Sequence, residues 1–176
     1  MVEAARVEAA RTLAMGQDEA TGAGRPTVDA PFGEALVGIA RRQANIVGLS
    51  ADLAKYTDIL PFQKAFPQRF FNVGMAEQNL IAVAAGLARA GRIPFATTYG
   101  VFASRRAFDF IAIAVAHSLL PVKIVAGLPG LTTGYGGTHQ AIEDLGLVSL
   151  IPGLTVIDPC DATENAAATR SRRMGR

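Results

Sequence analysis

The chain has 176 residues, half of them apolar, a formal net charge of +2 and a single cysteine, Cys160. That length suits one domain with a sizeable core; the small net charge gives no ground for a nucleic-acid partner, and one thiol excludes an internal disulfide framework and fits a reducing cytoplasm. The opening MVEAARVEAARTLAM has no apolar signal-peptide core, and the longest uncharged apolar run, FIAIAVAHSLLPV, falls short of the roughly 18 residues of a membrane span, so the sequence reads as a soluble, cytoplasmic protein.

In chain order, residues 1–30 are rich in Ala, Gly and Glu and end in TGAGRPTVDAP, which reads as a flexible arm and linker. The pattern tightens at Pro31, where PFGEALVGIARRQ has helical spacing with Pro near its first turn. NIVGLS predicts a short buried strand, PFQKAFP a brief helix and RFFNV a second strand. AEQNLIAVAAGLARAG predicts a helix closed by Gly91. IPFATT reads as a strand, and VFASRRAFDFIAIAVAHS as a helix whose apolar second half is well buried. PVKIVAG predicts a strand, LPGLTTGYGGTH a Gly-rich loop and QAIEDLGLVSLI a helix. LTVIDP predicts a last strand, and DATENAAATR the start of a last helix. The domain therefore runs over residues 31–169, followed by an irregular basic tail, 170–176, with four Arg in the last seven residues.

Short apolar strands alternating with helices predict an α/β fold, a three-layer α/β/α sandwich around a mostly parallel sheet. Ligands of such sheets bind beyond the carboxyl ends of the strands. Residues placed there include Asp52 after the first strand, Glu77 after the second, Tyr99 and Phe102 after the third, and the Gly-rich loop with His139 after the fourth. Asp158, Cys160 and Asp161 follow the last. No G-x-G-x-x-G, P-loop, C-x-x-C, H-x-x-x-H or G-x-S-x-G pattern is present, so no metal ligands are assigned. Each residue also has a plain structural reading. An acid such as Glu77 in a first helical turn meets the positive dipole end, for about 0.3 to 1 kcal/mol. Asp52 suits a helix cap, the rings suit a core, and His139 suits a structural role. Their convergence on one edge favours a site.

The stretches VGLSADLAKYTD, FFNVGMAEQNLIAVAAGLA, IPFATTYGVFASRRAFD and GYGGTHQAIEDLGLVSLIPGLTVIDPCDATE together resemble the pyrimidine-binding domain of transketolases, from about Pro31 to Ala168. The likeness is closest to the separately encoded C-terminal subunit of split transketolases. It implies a fold of the thiamine-diphosphate-enzyme pyrimidine-binding type. It implies that Glu77 meets N1′ of the cofactor's aminopyrimidine and favours the imino tautomer, which takes the C2 proton of the thiazolium. The carbanion chemistry is the cofactor's own. By the same resemblance Tyr99 and Phe102 pack around the aminopyrimidine, Asp52 lies near the cofactor, and His139 contacts the sugar.

Departures from the family pattern are also visible. Arg105 stands where the family has a further aromatic. Tyr135 stands where one-chain transketolases place a sugar-contacting Asp, Gly127 stands near a family histidine, and Asp158 aligns with a phosphate-gripping Arg. The G-D-G…N motif that holds Mg²⁺ and the diphosphate is absent. The resemblance therefore implies a partner: a separate diphosphate-binding subunit carrying Mg²⁺, with homodimerisation also expected. The expected reaction is transfer of a two-carbon ketol unit between sugar phosphates. The alternatives are a deoxyxylulose-phosphate-synthase-like or 2-oxoacid dehydrogenase-like subunit, or an inactive truncated remnant, since the basic end departs from the family pattern.

Overall fold

The computed structural model describes residues 28–171. The arm and the basic tail expected at the two ends lie largely outside the described residues.

The sheet is built from four parallel strands, β1 (Ile46–Ser50), β2 (Phe70–Asn72), β3 (Ile93–Tyr99) and β4 (Lys123–Gly127), in the order β2-β1-β3-β4. Every pairing is parallel, with Ser50 opposite Asn72 and Thr97, and Tyr99 opposite Gly127. A parallel pair needs a crossover, which in α/β domains is usually helical, and both faces of the sheet are covered accordingly. On one face, α3 (Glu77–Arg89) buries Leu80, Ile81, Ala84 and Ala88 against Val47, Leu49 and Ala96. On the other, α1 (Pro31–Ala40) and α2 (Leu60–Ala65) bury Phe32, Leu36 and Phe62 against Ile46 and Phe95. The three-layer reading of the sequence is the architecture observed.

Gly48 shows why the second face closes tightly. A Cβ there would lie 2.7 Å from a carbon of the Phe62 ring, so only glycine lets that ring rest on the strand. At the end of α3, Gly91 takes φ +80. Its N–H donates to the Ala88 carbonyl and that of Arg92 to the Leu87 carbonyl, the C-terminal stop that the sequence predicts.

Three elements differ from expectation. The helix predicted over 101–118 is divided. It comprises α4 (Gly100–Arg106), a short turn α5 (Phe108–Phe110) and a wider π-helical stretch (Ile111–Ala116). The His117 N–H reaches back five residues to the Ala112 carbonyl; along this stretch Ile113 is 60% exposed while Ile111 and Val115 are buried. The helix predicted over 140–151 shrinks to α6 (Asp144–Ser149). Its first residues are taken by other partners: Ala141 and Gly130 exchange backbone hydrogen bonds as an antiparallel bridge. The Glu143 carboxylate accepts from the Ile142 N–H. Finally, LTVIDP is not a strand. Leu154 packs onto the first core face, but Val156 and Ile157 are exposed and the segment joins no ladder. An apolar run fits a strand only if a neighbour accepts it. Here a cavity of about 490 Å³ includes Ile124 and Ala126 of β4 and Val156 and Asp158 of this segment in its lining. The last described helix, α7 (Ala162–Arg170), starts at Asp161, whose carboxylate accepts from the Glu164 N–H at 2.8 Å, and packs against α1.

Candidate active site

The carboxyl ends of β1, β2 and β3, with the loop after β4, hold the residues that the sequence singles out. Glu77 opens α3. The preceding Ala76 offers no side-chain cap, so the acid is the group in that first turn that meets the helix dipole. The side chain is 4% exposed. Both of its oxygens accept from Arg106 Nη1, at 3.1 and 3.3 Å. A buried carboxylate is costly unless it is paired, and Arg106 supplies that pairing from the last turn of α4.

Tyr99 is the last residue of β3 and is buried. Phe102 follows in the first turn of α4, and the two rings stack with centroids 5.8 Å apart and planes 22° off parallel. His139 meets both edge-on, at 5.3 Å from Phe102 and 6.4 Å from Tyr99. Tyr135 of the Gly-rich loop lies 5.2 Å from the imidazole. Burial pushes the Tyr99 phenol up to about 12, with Tyr135 and Tyr56 adding to it, so the group stays a neutral donor at physiological pH. The Arg106 guanidinium lies over the Phe102 ring, its central carbon 4.0 Å from the centroid. Glu77, Arg106, Phe102, Tyr99 and His139 thus form one continuous chain of contacts.

The loop that carries His139 is held by its own polar groups. Thr133 is buried, its hydroxyl accepts from the Tyr135 N–H, and its carbonyl accepts from Gln140 Nε2 at 3.4 Å. The His139 N–H donates to the Gly136 carbonyl at 2.9 Å, with Gly136 at φ +78. His139 Nδ1 is 2.9 Å from the Thr138 hydroxyl. Outside the loop, Arg105 pairs with Glu143. That contact raises the guanidinium's affinity for its proton and holds the Glu143 carboxyl below the usual range.

Asp52 follows β1 in the left-handed region, at φ 62. It caps no helix: the residues after it form a turn. Instead it and Asn72 exchange hydrogen bonds. The Asp52 N–H donates to Asn72 Oδ1 at 3.0 Å, and Asn72 Nδ2 donates to Asp52 Oδ1 at 2.9 Å, tying the ends of β1 and β2. Four of the five sequence-derived residues are therefore linked through contacts, while Asp52 belongs to a separate hydrogen-bonded pair. Arg106 and Asn72 were not among the candidates. The four-residue spacing of Phe102 and Arg106, one helical turn on one face, was the available signal for the first. Nothing local signals the second, because β1 and β2 meet only in the fold. Among the described residues, no group of three or more His, Cys, Asp or Glu side chains could hold a metal ion, and no helix is long and apolar enough to cross a membrane.

An all-parallel sheet between helical layers, with a paired acid, stacked rings and an imidazole at its carboxyl edge, defines an α/β domain with a candidate site where such sheets hold ligands. Residues 25–173 match the family described as "Transketolase, pyrimidine binding domain", and the chain belongs to that family. It is 59% identical over 143 residues to an uncharacterised transketolase family protein of Sinorhizobium fredii, covering 81% of this chain and 41% of that protein. It is 44% identical over 147 residues to a transketolase C-terminal section of Methanocaldococcus jannaschii, covering 82% of this chain and 46% of the relative. A solved structure described as a split gene transketolase, inactive beta4 tetramer, superimposes with a TM-score of 0.73 at 45% identity, over 84% of this chain and 46% of that one. The chain thus spans less than half the length of these relatives.

Proposed function

We propose that this chain is the pyrimidine-binding part of a two-component, thiamine-diphosphate-dependent transketolase. A separate diphosphate-binding subunit completes it, and a ketol unit moves between sugar phosphates. The observation that carries this reading is the buried Glu77, linked through Arg106 to the stacked pair Tyr99 and Phe102, on a fold whose relatives include split transketolases. That donor set fits the aminopyrimidine end of the cofactor: one carboxyl for a ring nitrogen, and aromatic surface for a flat heterocycle.

When bound, thiamine diphosphate supplies the carbanion chemistry. Glu77 holds or releases a proton at N1′. The side chain can do so because α3 fixes its backbone and burial keeps it from bulk water. Phe102 and Tyr99 orient the aminopyrimidine and keep that surface dry. His139, at the rim of the rings, hydrogen-bonds to a substrate oxygen or passes a hydroxyl proton. Asp52 and Asn72 fix the turn beside the cofactor. Mg²⁺ and the diphosphate grip belong to the partner subunit in this reading, and homodimerisation of the resulting pairs remains part of the proposal.

The test mixes the purified chain with the diphosphate-binding subunit of a split transketolase, Mg²⁺ and thiamine diphosphate, and measures ketol transfer from a panel of ketose phosphates. Turnover in the mixture and none with either component alone is the expected result. Micromolar binding of the cofactor by this chain alone, as a monomer, would overturn the two-component reading, because one carboxyl and two rings offer little to a charged diphosphate.

A further inference from the structure

Given the reading of Glu77 and Phe102 above, on which this proposal rests, Arg106 makes the two contacts that this reading assigns to the cofactor ring. Phe102 and Arg106 are one helical turn apart on α4, so both side chains leave the same face. The Phe102 ring has Tyr99 stacked against it, His139 at its edge and the Arg106 guanidinium over it. The same guanidinium donates to both oxygens of Glu77. A guanidinium is flat, delocalised and rimmed with N–H donors. An aminopyrimidine is also flat and, when protonated at N1′, presents an N–H to the acid. Its two contacts with this chain would be the ones that Arg106 already makes, an aromatic face and the Glu77 carboxylate. Two planar groups cannot occupy that one position together.

We propose that Arg106 is a placeholder for the aminopyrimidine. In the cofactor-free chain it covers Phe102 and pairs with Glu77; the arriving ring displaces it. Both halves of the exchange are physically balanced. Glu77 is 4% exposed and would be costly to leave without a partner, and Arg106 is the partner it has. The Arg106 side chain is 53% exposed, so it can swing into water with little desolvation to reverse. Cofactor affinity is lowered by whatever holds Arg106 in place, which is an ion pair plus a cation–π contact, about fivefold in all.

Two measurements test this. Thermal unfolding of the full chain alone is compared for wild type, Arg106→Met, Glu77→Gln and the double variant. The loss caused by Arg106→Met should be smaller in the Glu77→Gln background, where no buried charge is left unpaired; strictly additive losses would overturn the pairing and the proposal with it. Mg²⁺-thiamine diphosphate is then titrated calorimetrically into each chain mixed with the diphosphate-binding subunit of a split transketolase. Arg106→Met should bind about fivefold more tightly than wild type. Unchanged or weaker binding means that Arg106 supports the bound ring, and the placeholder is wrong. Arg106→Gln keeps an amide toward Glu77 and serves if the Met variant does not fold, with a smaller gain of the same sign. If the wild-type mixture binds no cofactor, the reading of Glu77 falls and takes this proposal with it. If it binds and neither variant gains, only the placeholder falls.

Discussion

Glu77 and Arg106 join two helices that the sheet separates in sequence: Nη1 at the end of α4 lies 3.1 Å from Oε1 at the start of α3. The pair fixes the acid's orientation. Glu77→Gln keeps the size and can still accept from Arg106 through its amide oxygen, but it cannot carry a proton to and from a ring nitrogen. The reconstituted enzyme should lose at least about 10²-fold in kcat with little change in thermal stability. Retention of most activity by the Gln variant would return Glu77 to a helix-dipole role.

Phe102→Ala should weaken cofactor binding by roughly 1 to 3 kcal/mol, because it removes the aromatic surface beneath the proposed ring and admits water. Tyr99→Phe should do less, since the stacked ring is kept and only the hydroxyl is lost. Calorimetric titration of thiamine diphosphate into the two-component complex separates them. Equal, native affinity in both would assign the rings to the core.

His139→Ala should leave cofactor affinity near native and lower turnover of sugar substrates, because the imidazole meets the Phe102 ring edge-on and lies next to Tyr135 of the Gly-rich loop. Steady-state kinetics at saturating cofactor, beside a cofactor titration, is the check. A fall in cofactor affinity with normal turnover would contradict the assignment.

Gly48→Ala should destabilise the domain by about 1 to 3 kcal/mol, the usual cost of overpacking. The new methyl would meet the Phe62 ring at 2.7 Å, and that ring is fully buried. Denaturant titration measures it. A paired Phe62→Leu substitution should recover part of the loss.

The pH dependence of stability should carry a signature of Lys123. Burial lowers its ammonium from 10.5 to about 8. The unfolded chain therefore takes up this proton at higher pH than the folded one. Stability from this group is present above 10.5 and falls as pH drops toward 8, below which the penalty is constant. Tyr99 runs the other way: its folded value of about 12 exceeds the free value of 10.0, so its contribution is lost above pH 10. Melting temperatures should thus rise between pH 8 and 10. Lys123→Met should flatten that rise; an unchanged slope would show that Lys123 is not its source.

Much of the sheet was legible because its signals are local. Apolar runs such as IVGL and PFATT, short and bounded by turn residues, suit central strands, and the Gly91 stop follows from backbone chemistry. The fifth strand was misread for the opposite reason. LTVI has the right composition, yet pairing depends on what lies beside β4. The same limit explains the site. Position after a strand brought Glu77, Tyr99, Phe102 and His139 forward. The partner of Glu77 lies 29 residues away on another helix, and no spacing rule reaches that far. Asp52 looked like a cap from its SAD context, but its partner, Asn72, comes from the neighbouring strand.

The packing of α1 against α7 sets an order of assembly. These are the first and last described helices, so their contact spans nearly the whole described chain and costs the largest loop closure in the fold. During synthesis, α1 emerges before α7 and must wait for it. Until then its flank and the sheet face beneath rely on α2 and Phe62 for cover. Local opening of α7 would reverse that last step, leaving the α3 side, where Glu77 sits, intact. The fold therefore puts its longest-range helix contact on one face and the support for the acid on the other.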